Sequence, residues 1–351
     1  MSDELFAAVV AHTAVREQTD DAAIIATVLR VETALADAQG QAGDLDEAAV
    51  AAVRRACEAA ADIDVAGLAR DTALGGNPVI PLVAELRRLA DPHTDAVHRG
   101  ATSQDVLDTA LMLMARDSVG TVAADLDRAV TSLDGIASGD HTVMGRTLMQ
   151  SAVPLPFAEK VGIWRRGLTD TSERLRTVAT GLPVQLGGPV GDGSTFGAHY
   201  ADIRAGLADK LGLVDAPSWH TVRLPVADLA SVLATASGVV GKVALDVVLM
   251  AQTEVAEVRE ATDDRGGSSS MPHKSNPIAA ISARASARRA PHLASHLFAQ
   301  MEQEHERAAG AWHAEWSALV DLLRATGSAA WWLAESLVSL EIDPDAMERH
   351  R

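Results

Sequence analysis

Apolar residues recur along this chain at helical spacing, and the recurrence lengthens from its start toward its middle. The first hundred residues read as several short amphipathic helices. Over 21–41, Ile24, Ile25, Val28, Leu29, Val31 and Leu35 gather on one side, and Gly43 follows as a stop. Pro78 is placed to open another helix running to Ala90, ahead of Asp91 and Pro92. From Asp105 to Leu133 the apolar positions are Leu107, Leu111, Met114, Val119, Val122, Leu126, Ala129 and Leu133. From Leu229 onward, Leu233, Ala236, Val240, Val243, Val247 and Met250 alternate steps of four and three, the seam of a long bundle helix. Further long candidates are 157–180, 278–306 and 312–340. Roughly five helices of this kind, each well beyond the ordinary ~11–12 residues, predict an all-α chain. The expected division is a small N-terminal helical domain, 1–97, and a long-helix bundle domain, 98–351.

Composition supports helices over sheets, because only 3% of the 351 residues are aromatic while Ala, Leu, Val, Glu and Arg dominate. A formal net charge of −18 argues against nucleic acid or an anionic membrane as partner, since both select clustered positive charge. It does not exclude a small anionic substrate held by a few local cations and hydroxyls. Cys57 is the single cysteine, so neither an intrachain disulfide nor a cysteine metal site is expected. The start, MSDELFAAVVAH, lacks the basic region and apolar run of a secretory signal, and no apolar run reads as long enough to span a bilayer. The expected location is the cytoplasm.

Polar, glycine-rich breaks interrupt the helical pattern at 98–105, 181–195 and 265–277. HRGATSQD (98–105) stands ahead of a long helix. Thr102 or Ser103 is a ready N-cap there, and two adjacent hydroxyls at a helix N-terminus also suit a carboxylate ligand. GRTLMQ (145–150) precedes another long helix, and its Gln150 suits either a cap or a ligand carboxylate. EHERAAGAWHAEW (304–316) sets Arg307 among acids and histidines on a stretch read as helical, with Trp312 and Trp316 on one face. His292 and His296 share a helical face, but no adjacent Glu completes a zinc-protease pattern, so no metal is expected. GGSSSMPHKSNP (266–277) opposes helix at nearly every position. Its glycines let the backbone bend and approach a ligand, Lys274 brings positive charge, and Asn276 brings an amide.

This last segment resembles the signature of the fumarase/aspartase superfamily through Gly267, Ser268, Ser269, Met271, Pro272, Lys274, Asn276 and Pro277. HRGATSQDVLDTA resembles a second block of that superfamily, and GRTLMQ lies where a third belongs. The resemblance runs from about Asp21 to Asp345. It implies a homotetramer built around long central helices, with active sites combining blocks from different subunits. It also implies no cofactor and a polycarboxylate substrate. Superfamily chains continue into a smaller C-terminal helical domain, which is expected to be missing here because the sequence stops at Arg351.

Within the superfamily the second block resembles the adenylosuccinate lyases more than the fumarases. Two histidine-bearing lyase motifs are nevertheless missing: 63–75 reads IDVAGLARDTALG, and Leu148 stands where those lyases carry a histidine. GGNPVIPLV (75–83), SWHTVR (218–223) and HERAAGAWHAEW (305–316) resemble the 3-carboxymuconate-lactonizing branch. That resemblance implies cycloisomerization of 3-carboxy-cis,cis-muconate to a lactone in aromatic catabolism, with a C–N lyase of the adenylosuccinate type as the alternative. In lactonization the nucleophile is the substrate's own carboxylate, ionised near neutral pH, so no base need activate it. Two tasks remain: stabilising developing carboxylate charge and delivering a proton to carbon. Thr102, Ser103, Gln150, Lys274, Asn276 and Arg307 are expected to bind substrate. Ser268 is the expected proton carrier, Ser269 is its neighbour in the catalytic loop, and His141 is a second candidate acid.

Overall fold

The computed structural model describes residues 9, 13–137, 139–261, 265–267, 270–271 and 274–350. After a five-residue helix at Thr13–Glu17, four helices come before the bundle: α1 (Asp21–Gln41), α2 (Glu47–Ala59), α3 (Val65–Gly75) and α4 (Val79–Leu89). Asp20, Asp46 and Asp64 cap α1, α2 and α3, each accepting a first-turn N–H. The long helices follow. They are α5 (Ser103–Ile136), α6 (Phe157–Thr180), α8 (Leu224–Met250) and α11 (Ala311–Val338), with the shorter α7 (Tyr200–Leu211) between α6 and α8. Helix accounts for 68% of the chain and strand for 6%, as the spacing predicts for an all-α protein.

The apolar seams behave as their periodicity demands. All eight seam positions of α5 from Leu107 to Leu133 are buried, and so are those of α8 from Leu229 to Met250. α5 packs against α6 and α11, and α8 packs against α6 and α11 as well, so one apolar core runs through the bundle. Contrary to the sequence expectation, α8 is by length and composition apolar enough to cross a bilayer. Its seam instead faces its neighbours in the bundle, and the face left outside carries Ser231, Thr235, Gly238 and Lys242.

Two other expectations need correction. The helix expected over 278–306 is two ten-residue helices, α9 (Ile278–Ala287) and α10 (Ala290–Ala299), with Pro291 in the first turn of the second. A proline inside one continuous helix would lose a hydrogen bond and clash with the preceding turn, whereas the first turn tolerates it. HERAAG is not helical either: α11 begins only at Ala311, and His305 sits in the left-handed region at φ 48°.

Between α5 and α6 the chain makes a β-hairpin, β1 (Thr142–Thr147) and β2 (Gln150–Pro156), that the helical periodicity does not announce. It pairs from Thr142 with Pro156 at the base to Thr147 with Gln150 at the tip, with an irregularity between Met144 and Arg146. Gly145 occupies that irregularity, where a Cβ would come within 2.8 Å of the Val153 carbonyl oxygen. A second pair of strands, β3 (Val258–Glu260) and β4 (Leu340–Ile342), ties the segment after α8 to the end of α11.

Candidate functional site

Thr102 is the N-cap of α5 and Ser103 its first helical residue, both half-buried. Arg307 arrives from the turn before α11. Its Nη2 donates to Thr102 Oγ1 at 2.7 Å and to the Pro189 carbonyl at 3.1 Å. A hydroxyl, a helix N-terminus and a guanidinium thus converge at one end of the bundle, which is the chemistry a carboxylate recognises.

Asp105 organises this end from beneath. It is 1% exposed and accepts from Thr102 N–H at 3.0 Å, Gly187 N–H at 2.9 Å and Gly188 N–H at 2.8 Å. Gln185 Nε2 and His220 Nε2 also meet it, each at 3.0 Å. From the sequence Asp105 reads as an ordinary acidic residue in the first turn of a helix. Apart from Thr102 in its own capping turn, its partners lie 80–115 positions away, where no local pattern reveals them.

One turn further along α5 lies a buried charge layer. Arg223 reaches Asp108 at 2.7 Å and Glu315 at 2.6 Å, and its guanidinium stacks on the Trp219 ring at 4.6 Å. Trp312 Nε1 donates to Asp108 Oδ1 at 2.9 Å, and Gln303 donates to Glu315. Burial opposes the Arg223 charge, but Asp108 and Glu315 outweigh it and hold the pKa above the ordinary guanidinium value. Burial pushes the Glu315 carboxyl up against the pull of Arg223. SWHTVR and WHAEW are therefore the two halves of one buried network beneath the Thr102 site.

The remaining candidates sit at the other end. Gln150 pairs with Thr147 at the exposed tip of the hairpin, beyond Leu148 and Met149. Arg146 anchors the hairpin through a two-pronged pair with the fully buried Glu257, at 2.9 and 2.7 Å, and that hydrogen-bonded pairing raises its pKa. His141 lies at the hairpin base, in a cavity of about 420 Å³ lined by Ile136, Leu340 and Ile342. Five residues of strand separate that base from the tip, about 17 Å at 3.4 Å per residue, so His141 and Gln150 do not meet within one chain.

In the signature loop, Asn276 is committed to the backbone. Its N–H donates to the Gly266 carbonyl at 2.9 Å and its Nδ2 to the same oxygen at 2.8 Å, closing the loop at its base. The Asn276 amide therefore shapes the loop before it can meet a ligand. Lys274 is exposed, and its ammonium has no ion pair or hydrogen bond among the described residues. Ser268 and Ser269 lie outside the described residues.

Helix α5 sets the distance between the two groups. Thirty-four residues at 1.5 Å each put the Thr102 end about 50 Å from the hairpin end. The signature loop belongs to the hairpin end: Arg265 pairs with Glu335, which also pairs with Arg128 near the far end of α5. One chain therefore carries Thr102, Ser103 and Arg307 at one pole, and Gln150, Lys274 and Asn276 at the other.

Comparison with known proteins places this geometry in a family. A profile of the family described as Lyase matches residues 3–291. A 3-carboxy-cis,cis-muconate cycloisomerase of Bradyrhizobium diazoefficiens is 40% identical over 353 residues, covering 98% of this chain and 78% of that protein. A nitrosuccinate lyase of Streptomyces davaonensis is also 40% identical, over 98% of this chain and 76% of its own length. Among solved structures, the 3-carboxy-cis,cis-muconate lactonizing enzyme from Pseudomonas putida superposes with a TM-score of 0.92 at 36% identity, covering 99% of this chain and 79% of that one. The chain belongs to this lyase family, within the fumarase/aspartase superfamily.

Proposed function

We propose that the protein is a cycloisomerase that closes 3-carboxy-cis,cis-muconate to a carboxymuconolactone. A carboxylate oxygen of the substrate adds across a conjugated double bond, and the adjacent carbon takes a proton. The new C–O and C–H bonds replace the lost π bond, so no group leaves. The observation that carries this reading is the hairpin tip. Leu148 and Met149 stand there fully or largely exposed beside Gln150, and neither can exchange a proton. A reaction whose nucleophile is already ionised needs no base at that place. The similarity to several 3-carboxy-cis,cis-muconate cycloisomerases at 38–40% identity points the same way.

In this reading Arg307, Thr102, Ser103, Gln150 and Lys274 hold the substrate carboxylates and Asn276 shapes the loop that presents Lys274. Ser268, beside Ser269, delivers the proton, and His141 is the reserve acid. The roughly 50 Å between the two groups supports a site completed by other copies of the chain, as in a homotetramer, with each pole of one copy meeting the opposite pole of another. Residues 1–97 form the smaller unit and 98–351 the bundle that associates, and the enzyme works in the cytoplasm.

The equally similar nitrosuccinate lyase favours one second reading, elimination across a C–N bond of a succinate-derived substrate. Purified protein offered 3-carboxy-cis,cis-muconate, nitrosuccinate and adenylosuccinate in parallel separates them. Loss of the diene absorbance with the first compound is expected. Fumarate formed from either of the others, with the muconate untouched, would overturn the proposal.

A further inference from the structure

We propose that Asp105 and His220 form a positioning pair that sets the geometry of the Thr102–Arg307 anion site. The proposal rests on the reading of Thr102 and Arg307 as ligands of a substrate carboxylate.

Four of the five groups around Asp105 are obligate donors: three backbone N–H groups and the Gln185 amide nitrogen. The carboxylate answers them with lone pairs alone, so His220 must carry its proton on Nε2 to complete the set. The other ring nitrogen, Nδ1, is buried and has no hydrogen-bond partner among the described residues. It faces Gly191, where the backbone has φ +79° and a Cβ would come within 2.9 Å of Nδ1. The ring, 5% exposed, is therefore shut from solvent on that side and holds the carboxylate through a single N–H.

What Asp105 holds matters more than what holds it. Its Oδ2 fixes the N–H of Thr102, whose hydroxyl accepts from Arg307. The same oxygen fixes the N–H of Gly188, and the next residue, Pro189, supplies Arg307's second acceptor, its carbonyl. Both acceptors of the guanidinium thus hang from one buried carboxylate, and His220 braces its other oxygen together with the Gln185 amide and the Gly187 N–H. Loss of the brace lets the Thr102 cap and the 187–189 turn shift independently. Arg307 then loses the fixed direction that recognition of a planar carboxylate requires. Asp105 and His220 touch no substrate in this scheme and act through Thr102 and Arg307.

The test is steady-state kinetics of the full chain on 3-carboxy-cis,cis-muconate, with thermal unfolding of each variant alongside. Asp105→Asn turns one acceptor oxygen into a donor that faces other donors. It is expected to raise KM by roughly tenfold or more, the scale of one well-aligned charge-assisted hydrogen bond. His220→Leu, which removes the brace, is expected to do the same. His220→Gln places an amide N–H where the ring N–H was and is expected to recover most of that loss. A merely structural role would lower the folded fraction, and so kcat, while leaving KM in place. Should Asp105→Asn fail to fold, the Leu and Gln variants of His220 decide the matter. Unchanged KM in His220→Leu, while Arg307→Met raises it, would overturn the positioning pair alone. Unchanged KM in Arg307→Met, or no turnover by the unmodified protein, would overturn the substrate reading and the pair with it.

Discussion

Arg307 donates to the hydroxyl of Thr102 at 2.7 Å although 205 positions of sequence separate them. The bond joins the turn before α11 to the N-cap of α5, and among the described residues Arg307 bonds through Nη2 alone, which leaves the rest of the fork to a ligand. Lysine at this position keeps the charge but is a single point donor without the planar fork, so it cannot hold Thr102 and Pro189 through one nitrogen while presenting a second, parallel pair of N–H groups to a carboxylate. Arg307→Lys is therefore expected to lower kcat/KM by about a hundredfold, the size of a lost charge-assisted contact. Because Arg307 is only half-buried, its unfolding midpoint should stay near that of the unmodified protein. Steady-state kinetics paired with thermal melts reads both.

Arg223 gives the opposite signature. Its guanidinium is 1% exposed and neutralises two carboxylates that are equally hidden. Arg223→Met leaves Asp108 and Glu315 buried without a counter-charge, a change of about 3–5 kcal/mol in analogous buried pairs. Urea unfolding should show a loss of that order. Adding Asp108→Asn and Glu315→Gln to the same chain should recover part of it, because the stranded charges are then gone. A double or triple variant no better than Arg223→Met would mean that packing against Trp219, not charge, is what Arg223 supplies.

The pair His98 and Glu32 makes stability depend on pH. Nδ1 of His98 lies 2.6 Å from Glu32 Oε1, and both side chains are almost wholly buried. Burial alone would push the histidine down. The charge and hydrogen bond of Glu32 overcome it and leave the pKa raised. A raised folded pKa means the pair's contribution is complete below the ordinary histidine value of about 6.5 and is lost as pH climbs through the higher folded value. Urea midpoints should therefore fall as pH rises from neutrality into the mildly alkaline range. In Glu32→Gln only the weaker pull of the Asp105 charge still opposes burial and Arg87, so the slope from this residue should flatten or reverse.

The bundle was legible because its signal is local and repeated. Each seam residue of α5 and α8 reports the same buried face, and the ends of α6 coincide with the expected 157–180. The hairpin was hidden because Gly145, Pro154 and Pro156 interrupt the alternation that marks a strand. Thr102, Ser103 and Arg307 were readable as chemistry, and the structure brings Thr102 and Arg307 together. Asp105, His220 and Arg223 were not, since their meaning lies in partners about a hundred positions away. Asn276 shows the converse. Its residue type suits a ligand, but its contacts close the loop on Gly266.

The hairpin tip permits a test in which stability and activity move apart. Leu148 and Met149 both have positive φ, 49° and 66°, between the paired Thr147 and Gln150. That is the backbone of a type I′ turn, which favours Asn-Gly and penalises large apolar side chains. These two are moreover 96% and 67% exposed, so burial within the chain offers them little compensation. Replacing them as Leu148→Asn with Met149→Gly should relieve the backbone and leave the melting temperature equal or higher. If the tip enters the site of another copy beside Gln150, the same change removes its apolar surface from the substrate and lowers kcat/KM. Greater stability with lower turnover is the expected outcome. A variant that gained stability and kept full turnover would show that the tip only closes the hairpin, and Gln150 would then lose its claim to the site.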